Sequence, residues 1–465
     1  MNLRLFLALM VIGAALSTCT MGVARATEFV TLGQFNNLGD ANMDVEFMSG
    51  DGSAVVGIAT NENGETEPWQ WTPEAGFVGL GTTPYSEFDV NVVSQDGSAV
   101  FMTGISNVFN FPDCCARVIE RHLYRWTSDH GLSDLGLLPQ PDYTPVGSGG
   151  HAVVYAEVGT SDGTVVAGSW LDRTHPEGFY SGFFIWSDTN GFTDLGAVEE
   201  IVDNNRVGNV TGISDSGEVV VGRITLGSPS RNFGFRWARE TGMVSIGEGF
   251  AFFARDVSAD GSVVIGSDED YAPVGNIPYR YTEDAGVEML GLLPHWVGAT
   301  ADRISADGST ITGRARLSGD SHEREPYLWT SEKGYETLPP PPGESDLVGI
   351  FTTQLIVSDD GSAIVGGIDN RPFMWRKELG TRFVDEMLAN EFGMAEELEG
   401  WKLIGIRMSD DGSVIAGDAI NPDGIREPWL VRLSPVPEPN TSMLLLVAAA
   451  GLASSGLKPT LFSRQ

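Results

Sequence analysis

Residues 257–266 read Val-Ser-Ala-Asp-Gly-Ser-Val-Val-Ile-Gly, and this stretch decides the fold. Its Asp260-Gly261 pair predicts a tight β-hairpin turn, because such a turn needs a positive φ, which glycine adopts without a Cβ clash and aspartate tolerates. The same element, Asp or Ser followed by Gly-x-x-x-x-Gly, occurs eight times, with its first glycine at Gly52, Gly97, Gly163, Gly217, Gly261, Gly308, Gly361 and Gly412. Only the second copy departs from the pattern, since its second glycine is displaced to Gly104.

An aromatic residue with apolar neighbours follows each copy, at Trp71, Trp126, Trp186, Trp237, Tyr281, Trp329, Trp375 and Trp429. In all but the last unit a glycine comes five residues later, at Gly76, Gly131, Gly191, Gly242, Gly286, Gly334 and Gly380. Unit length runs from 44 residues (Gly217 to Gly261) to 66 residues (Gly97 to Gly163). Self-similarity at this period predicts a solenoid, a propeller or an array. An aromatic residue at one fixed place in every unit predicts core packing between units.

Each unit is predicted to contain four short strands, which in the fifth unit are residues 254–258, 262–267, 278–282 and 287–290. Four strands in about 45 residues match one propeller blade. The two ends of the array complement each other, because residues 28–33 form a fourth strand without a unit and the last unit stops at its third strand, residues 428–433. We therefore expect an all-β fold: a single closed propeller of about eight four-stranded blades, with the N-terminal strand closing the last blade and leaving no long open edge.

One segment departs from the β pattern. Residues 383–392 place apolar side chains at helical spacing, which predicts a short helix before the last blade.

The repeat as a whole resembles the HAF extracellular repeat, on residues 257–266 and on Phe235-Arg236-Trp237 followed by residues 242–247. This resemblance covers most of residues 28–433. It implies a secreted bacterial repeat protein and implies no particular reaction.

The first 26 residues have the features of a secretory signal peptide. Arg4 precedes an apolar run over residues 5–16, and Ala24-Arg25-Ala26 is a small-x-small cleavage pattern, so cleavage is expected between Ala26 and Thr27. The alternative is a lipidated N-terminus at Cys19, because Leu-Ser-Thr-Cys resembles a lipobox. Removal of residues 1–26 takes away two arginines and no acid, which leaves 26 basic against 63 acidic residues, a charge of −37.

The C-terminal region, residues 434–465, is predicted to be a sorting or anchoring tail. Val436-Pro437-Glu438-Pro439, the apolar residues 443–457 and the trailing Lys458 and Arg464 resemble a PEP-CTERM tail, although the usual arginine cluster is thinned. The resemblance implies recognition by an exosortase-like sorting enzyme in a Gram-negative bacterium, and so a secreted or outer-surface location. A hydrophobic helix over residues 443–457 that anchors the protein permanently in the membrane is the alternative.

Composition narrows the class of partner. The full chain has 28 Lys and Arg against 63 Asp and Glu, a formal charge of −35. So acidic a surface repels phosphate backbones and anionic lipids, which argues against nucleic acid and membrane-surface electrostatics. We expect an extracellular polysaccharide or envelope proteins as partners, and the charge favours neutral glycans, cations or basic surfaces.

Loop lengths indicate which face of the propeller binds a partner. The turns between first and second and between third and fourth strands are short throughout, whereas the second-to-third and inter-blade connections vary, and long loops on a rigid scaffold usually carry binding. On this variable face the candidate binding residues are Arg117, His122, Trp170, Glu199, Glu200, Asp203 and Trp296. Trp170 and Trp296 are expected to be exposed for ligand stacking, and the adjacent Cys114 and Cys115 to be either a strained disulfide or two unlinked thiols.

No residue set in the sequence has the spacing of a catalytic, metal or cofactor site. The repeated Asp-Gly carboxylates could suggest calcium, but one turn aspartate per blade cannot supply six converging oxygens, so turn chemistry explains them better. We therefore expect a non-catalytic binding or structural module. The alternative is an extracellular polysaccharide hydrolase or lyase, for which two carboxyl groups from different blades would have to share a concave pocket at the propeller mouth.

Overall fold

The fold was derived from a computed structural model. It describes residues 29–35, 42–82, 85, 87–110, 117–138, 152–172, 180–197, 206–226, 231–247, 252–268, 275–317, 323–349, 351 and 354–433. These residues form β-strands and one short helix, so the chain is all-β as expected. The described part contains no helix that is long and apolar enough to span a membrane. The expected signal peptide and the apolar residues 443–457 lie outside the described residues.

Most strands group into four-stranded units of consecutive antiparallel strands. Unit 1 comprises β2 (Asn42–Met48), β3 (Val55–Thr60), β4 (Thr66–Thr72) and β5 (Gly76–Gly79). Unit 2 comprises β6 (Phe88–Val93), β7 (Ala99–Asn110), β8 (Arg117–Thr127) and β9 (Gly131–Gly136). Unit 3 comprises β10 (Ala152–Gly159), β11 (Val165–Asp172), β12 (Tyr180–Ser187) and β13 (Gly191–Asp194). Unit 4 comprises β14 (Arg206–Ile213), β15 (Val219–Leu226), β16 (Arg231–Ala238) and β17 (Gly242–Ile246).

The second half continues the pattern. Unit 5 comprises β18 (Phe252–Val257), β19 (Val264–Asp268), β20 (Ile277–Thr282) and β21 (Gly286–Met289). Unit 6 comprises β22 (Trp296–Ile304), β23 (Thr310–Leu317), β24 (Arg324–Thr330) and β25 (Gly334–Thr337). Unit 7 comprises β26 (Ile356–Val357), β27 (Ala363–Ile368), β28 (Arg371–Arg376) and β29 (Gly380–Phe383). Unit 8 comprises β30 (Lys402–Leu403), β31 (Arg407–Met408), β32 (Val414–Ile420) and β33 (Arg426–Arg432).

The N-terminal strand β1 (Phe29–Thr31) belongs to the last unit, as the sequence predicts. It pairs antiparallel with β33, with Val30 opposite Leu430. In unit 8 both β30 and β31 pair with β32, so two short strands take the place of one first strand. Units 2 and 3 share one sheet, because Val153 on β10 makes a parallel pairing with Arg121 on β8.

The predicted short helix is present as α1 (Val384–Asn390), directly after β29. It buries Val384, Met387 and Leu388 in a core cluster that also contains residues of units 7 and 8. The Arg371 guanidinium bonds both acidic side chains of its first turn, to Asp385 at 2.9 Å and to Glu386 at 2.6 Å. The helix therefore fills the space beside the last two units.

The Asp-Gly turns are built by local hydrogen bonds. In unit 5 the Ser258 hydroxyl donates to Asp260 at 2.7 Å, and the backbone N–H of Ser262 donates to the same carboxylate oxygen at 2.9 Å. These bonds lower the pKa of Asp260. Every first glycine of the motif has a φ between +65° and +74°. The turn aspartates thus have the structural role that the sequence predicts.

These turns also connect neighbouring units through the residue between Ser and Asp. Backbone N–H groups donate to the next unit's carbonyl oxygen in seven places: Asp51 to Gln95 (2.9 Å), Gln95 to Ser161 (2.6 Å), Asp215 to Ala259 (2.9 Å), Ala259 to Ala306 (3.0 Å), Asp307 to Asp359 (3.5 Å), Asp359 to Asp410 (2.8 Å) and Asp410 to Gly50 (2.7 Å). The last of these joins unit 8 to unit 1.

The second glycine of the motif has a packing role that the sequence did not indicate. In unit 5, Gly266 lies opposite Tyr279, and a Cβ there would overlap the Phe253 carbonyl oxygen and lie 2.6 Å from the Tyr279 hydroxyl oxygen. The same strand position pairs a glycine with a buried aromatic ring in most units, namely Gly57 with Trp69, Gly168 with Phe184, Gly222 with Phe235, Gly313 with Tyr327, Gly366 with Phe373 and Gly417 with Trp429.

This register corrects two details of the sequence alignment. Trp429 belongs to this inner aromatic row and not with Trp71, because it lies opposite Gly417 as Trp69 lies opposite Gly57. In unit 2 the equivalent of the second glycine is Met102, opposite Tyr124, so Gly104 is not a displaced copy of it. The remaining fixed-position aromatics pack between units as expected. One example is Trp186, whose ring meets Phe101 of the preceding unit at 5.7 Å between centroids.

Candidate functional site

The first strands of several units surround one polar cavity of about 440 Å³, called here the central cavity. Its lining residues come from units 1 to 7, and the polar ones are Asn91, Glu157, Asn209, Thr211, Arg223, Arg255, Asp302, Arg303 and Gln354. Phe47 and a few valine and alanine residues complete the wall. The cavity is therefore the place where most of the repeats converge.

A β-bulge at a fixed position presents these polar groups. In units 1 to 6 the pairing of first and second strands skips one residue, three positions before the Ser or Thr of the turn. A bulge leaves its extra residue outside the ladder and can re-aim its side chain. The skipped residues are Glu46, Asn91, Glu157, Thr211, Arg255 and Asp302, whereas the same position holds the buried Leu355 in unit 7 and Ile406 in unit 8.

Glu157 is the most perturbed acid of the cavity. Its carboxylate accepts the backbone N–H of Val210 in the next unit at 2.5 Å and the Ser169 hydroxyl at 3.0 Å. Burial raises the pKa of Glu157 to about 8, against the opposing effects of these two bonds and of the Arg223 charge. Near neutral pH Glu157 is therefore largely protonated, and a protonated carboxyl group can donate a hydrogen bond as well as accept one.

Asp302 of unit 6 lines the same cavity. Its residue is 6% exposed, and it accepts two bonds from Arg314, from Nε at 2.5 Å and from Nη2 at 3.2 Å. No comparable guanidinium contact holds Glu157 among the described residues, so the two acids differ in environment. The cavity thus contains two carboxyl groups from different units, one neutralised by burial and one by an arginine.

Acidic side chains also join neighbouring units. Asp256 of unit 5 accepts the backbone N–H of Ile304 in unit 6 at 3.1 Å, and Asp418 of unit 8 accepts that of Val45 in unit 1 at 2.7 Å. Burial raises the pKa of Asp256. The Asp256 bond joins the bulged first strands of units 5 and 6, and the Asp418 bond joins the second strand of unit 8 to the bulged first strand of unit 1.

Three arginines give the cavity a cationic wall within an acidic protein. Arg223, Arg255 and Arg303 line it. Arg223 Nε donates to the side-chain oxygen Oδ1 of Asn209 at 2.5 Å, and Arg303 Nη2 donates to Oε1 of Gln354 at 3.1 Å. Guanidinium and amide groups of this kind recognise carboxylate and hydroxyl oxygens. The arrangement suits a polar ligand with several oxygens.

The turns that follow the first strands carry an acidic cluster. The residue between Ser and Asp of the turn is acidic in units 4, 7 and 8, as Asp215, Asp359 and Asp410. Burial, followed by the charges of Asp359 and Asp215, raises the pKa of Asp410 to about 6. Within the described ranges no group of three or more Asp, Glu, His or Cys side chains is arranged to hold a metal ion.

The expectation of exposed stacking rings at Trp170 and Trp296 is wrong. Each is only 4% exposed. Trp170 lies over Gly182, where a Cβ would come within 2.6 Å of the indole, so the missing side chain creates its site. Trp296 donates from Nε1 to Glu325 at 2.7 Å and packs against Tyr335 at 4.8 Å between centroids. Both tryptophans are core residues.

The other candidate residues do not form a site in the described structure. His122 lies on β8 with Nδ1 at 2.9 Å from the Asp134 carboxylate of β9, so it takes part in a contact between neighbouring strands. Arg117 is the first residue of β8, and its side chain lies outside the description. Outside the described residues are Ala26, Thr27, Cys114, Cys115, Glu199, Glu200, Asp203, Val436, Pro437, Glu438 and Pro439.

Motif spacing in the sequence did not predict the residues that line the central cavity. A usable signal was present, because the position three residues before the turn Ser or Thr is polar in units 1 to 6, inside a strand whose neighbouring positions are mostly apolar. Alignment of the eight first strands on the turn would have identified Glu157, Arg255 and Asp302. Their convergence depends on the tertiary arrangement and not on local spacing.

Comparisons with known proteins bear on the fold. No family model and no curated protein matches the chain. Among solved structures, the oligogalacturonate lyase in complex with manganese is 14% identical, with 88% of this chain and 98% of that chain covered and a TM-score of 0.44. A prolyl endopeptidase is 10% identical, with 88% of this chain but 57% of that chain covered and a TM-score of 0.49.

The β-propeller domain of the Trilobed protease from Pyrococcus furiosus is 11% identical, with 74% of this chain and 97% of that domain covered and a TM-score of 0.43. At such identities the likeness concerns the fold alone. The chain is thus an all-β protein with propeller-like structural neighbours.

Proposed function

We propose that the protein is an exported, non-catalytic binding module, built as one closed propeller of eight blades, that holds a ligand in its central cavity. The observation that carries the proposal is the cavity of about 440 Å³, lined by the first strands of seven units with amide, arginine and carboxyl groups. Ring closure is supported by the pairing of β1 with β33 and by the bond from Asp410 to Gly50.

The partner proposed is an extracellular polysaccharide or an envelope protein, approached from the face of the variable loops. The cavity opens among the first strands, and its oxygen and nitrogen groups match the hydroxyl-rich surface of a glycan. An array of extracellular glycans probed with the purified protein tests this. Gln354→Ala, at an exposed cavity residue, is expected to weaken retention, whereas Lys333→Ala at a short turn is expected to leave it unchanged. Equal retention by all three proteins would contradict the proposal.

Export and sorting form part of the same proposal. We expect a signal peptidase to cut after Ala26 and an exosortase-like enzyme to act on the tail that contains Val436-Pro437-Glu438-Pro439. Intact-mass measurement of the protein recovered from the cell surface tests both steps. A mass that begins at Thr27 and lacks the C-terminal segment supports the proposal. The mass of the uncut chain contradicts it. A mass that begins at Thr27 but still includes the C-terminal tail favours a permanent anchor.

A polysaccharide hydrolase or lyase is the second candidate, because Glu157 and Asp302 from different units share one cavity and the pKa of Glu157 is raised to about 8. A carboxyl group that burial keeps protonated, in one cavity with a second carboxyl group, is the pattern of acid-base catalysis on glycosidic bonds. Incubation with the polysaccharide that is retained on the array, followed by size-exclusion chromatography, separates the two functions. Shorter polysaccharide chains that form with the wild type and not with Glu157→Gln indicate an enzyme. A polymer of unchanged size indicates a binding module.

A further inference from the structure

Three arginines of unit 6 line a second, smaller cavity of about 100 Å³, called here the arginine pocket. Arg314 and Arg316 are two residues apart on β23, so their side chains leave the same face of the sheet. Arg324 on β24 is the direct strand partner of Arg316. The rest of the wall is Asn276, Gly298, Ala299 and Thr300, of which the last three lie on β22.

This grouping brings like charges close together. Like charges directly opposite each other on adjacent strands destabilise a sheet. Burial, and then the charges of Arg316 and Arg314, lower the pKa of Arg324. Arg314 is compensated by Asp302, but Arg316 is exposed and donates only to the Val297 carbonyl oxygen, at 3.5 Å. Within the described ranges no carboxylate forms an ion pair with Arg316.

The arginine pocket is positively charged, although the chain as a whole is acidic. The chain has 28 basic and 63 acidic residues, yet three arginines line this pocket. A guanidinium group offers a planar pair of N–H donors that fits the two oxygens of a carboxylate or sulfate. The pocket has the volume for one such group and not for a sugar ring, since its free space is about 100 Å³.

The arginine pocket adjoins the central cavity through Asp302. That carboxylate lines the central cavity and is held by Arg314, which lines the arginine pocket. The neighbouring Arg303 also lines the central cavity. A sugar whose ring occupies the central cavity could therefore direct a charged substituent between Arg316 and Arg324. The net charge of the chain favours neutral or basic partners, but at this pocket the arginines favour an anionic group.

We propose that the ligand is an acidic polysaccharide, and that the arginine pocket binds one of its anionic groups while the attached sugars lie in the central cavity. This inference rests on the proposed binding function and makes it more specific. Arg316 is the discriminating residue, because it is exposed and Arg314 and Arg324 are involved in other contacts. No step of covalent chemistry is implied.

Titration calorimetry of the purified full chain tests the inference. The probes are an alginate tetrasaccharide, the same tetrasaccharide with its carboxylates reduced to alcohols, a sulfated tetrasaccharide and inorganic phosphate. The acidic sugar is expected to bind, and Arg316→Gln to weaken it at least about tenfold, the loss expected for one charge-assisted hydrogen bond. Arg316→Lys should retain part of the affinity. Arg239→Gln, the same change at an exposed arginine of a short turn, should retain all of it.

Each outcome has a defined meaning. Tight binding of the carboxylated or the sulfated sugar, with loss in Arg316→Gln, supports the inference and identifies the anionic group. Equal binding of the reduced sugar, or no effect of Arg316→Gln, overturns it while leaving a binding function in place. Phosphate that binds as tightly as either sugar indicates a free-anion pocket and also overturns it. If neither a neutral nor an acidic sugar binds, the polysaccharide form of the proposed function fails as well.

Discussion

The backbone N–H of Val45 donates a hydrogen bond of 2.7 Å to the carboxylate of Asp418, which lies 373 residues later in the chain. The same carboxylate accepts a bond from Arg426 at 3.0 Å and is buried, with 6% of the residue exposed. One side chain thus links the first unit to the last. Mutation of Asp418 can therefore test the proposal of a closed propeller.

Asp418→Ala is expected to lower the free energy of unfolding by about 1–3 kcal/mol, because it leaves the buried N–H of Val45 without its acceptor, while Arg426 keeps its ion pair with Asp44. Asp418→Asn keeps one carbonyl oxygen for Val45 and should cost less. Asp423→Ala removes an exposed carboxylate of the same unit and should change stability by less than about 0.5 kcal/mol. Urea denaturation measures all three. Similar values for Asp418→Ala and Asp423→Ala would show that the link between the end units is not important for stability.

The glycine opposite each inner aromatic ring supplies a second prediction. Gly266→Ala should destabilise the protein by about 3 kcal/mol or more, because the new methyl group would collide with the Phe253 carbonyl oxygen and with Tyr279. Gly64→Ala is the control, since Gly64 has a φ of +80° and nothing within 4 Å, so only about 1 kcal/mol of backbone strain is expected. Thermal unfolding compares the two. A smaller loss for Gly266→Ala than for Gly64→Ala would contradict the packing role.

These packing contacts show which part of the fold could be read from the sequence. The fifth unit was predicted as residues 254–258, 262–267, 278–282 and 287–290, and its strands are Phe252–Val257, Val264–Asp268, Ile277–Thr282 and Gly286–Met289. Agreement is close because Asp260-Gly261 and Gly286 fix the turns locally, both glycines having positive φ. The pairing of β1 with unit 8 was also predictable, because the sequence has one extra strand at its N-terminal end and lacks one strand in the last unit.

The site was harder to predict than the fold. Glu157 and Asp302 are far apart in the sequence and meet in one cavity only because seven units converge there. The burial of Trp170 depends on the absence of a side chain at Gly182 on the neighbouring strand, which no spacing rule reveals. Net charge was also misleading at short range, because a chain of charge −35 still gathers Arg314, Arg316 and Arg324 at one pocket.

The stability of the protein is expected to depend on pH through Glu157. Its pKa is raised from 4.5 to about 8 in the folded chain, so its neutral form favours folding below about pH 4.5, and that contribution is lost as the pH rises through 8. Because each pH unit between the two pKa values is worth about 1.4 kcal/mol, Glu157→Gln should stabilise the protein by up to about 4 kcal/mol at pH 9 and have little effect at pH 4. Urea denaturation at both pH values tests this. A constant difference between variant and wild type would contradict the raised pKa.

Asp410 should act over a lower pH range. Burial and the charges of Asp359 and Asp215 raise its pKa from 3.8 to about 6, so its favourable contribution is complete below about pH 3.8 and is lost as the pH rises through 6. Asp410→Asn is therefore expected to stabilise the folded protein at pH 8 by about 2 kcal/mol. It should also reduce the change in the free energy of unfolding between pH 4 and 6. The backbone bond from Asp410 to Gly50 is unaffected by this change. A loss of stability at pH 8 would show that the carboxylate is favourable there.

Closure of the ring by the N-terminal strand is the central claim, and a designed disulfide between Val30 and Leu430 tests it most directly. These residues are strand partners on β1 and β33. In a chain with Cys19, Cys114 and Cys115 changed to serine, Val30→Cys with Leu430→Cys is expected to form an intramolecular disulfide, detected by intact mass and by the loss of maleimide labelling. Val30→Cys with Leu328→Cys, the equivalent third-strand position of unit 6, should keep two free thiols. Free thiols in the first pair, or a disulfide in the second, would contradict the closed propeller.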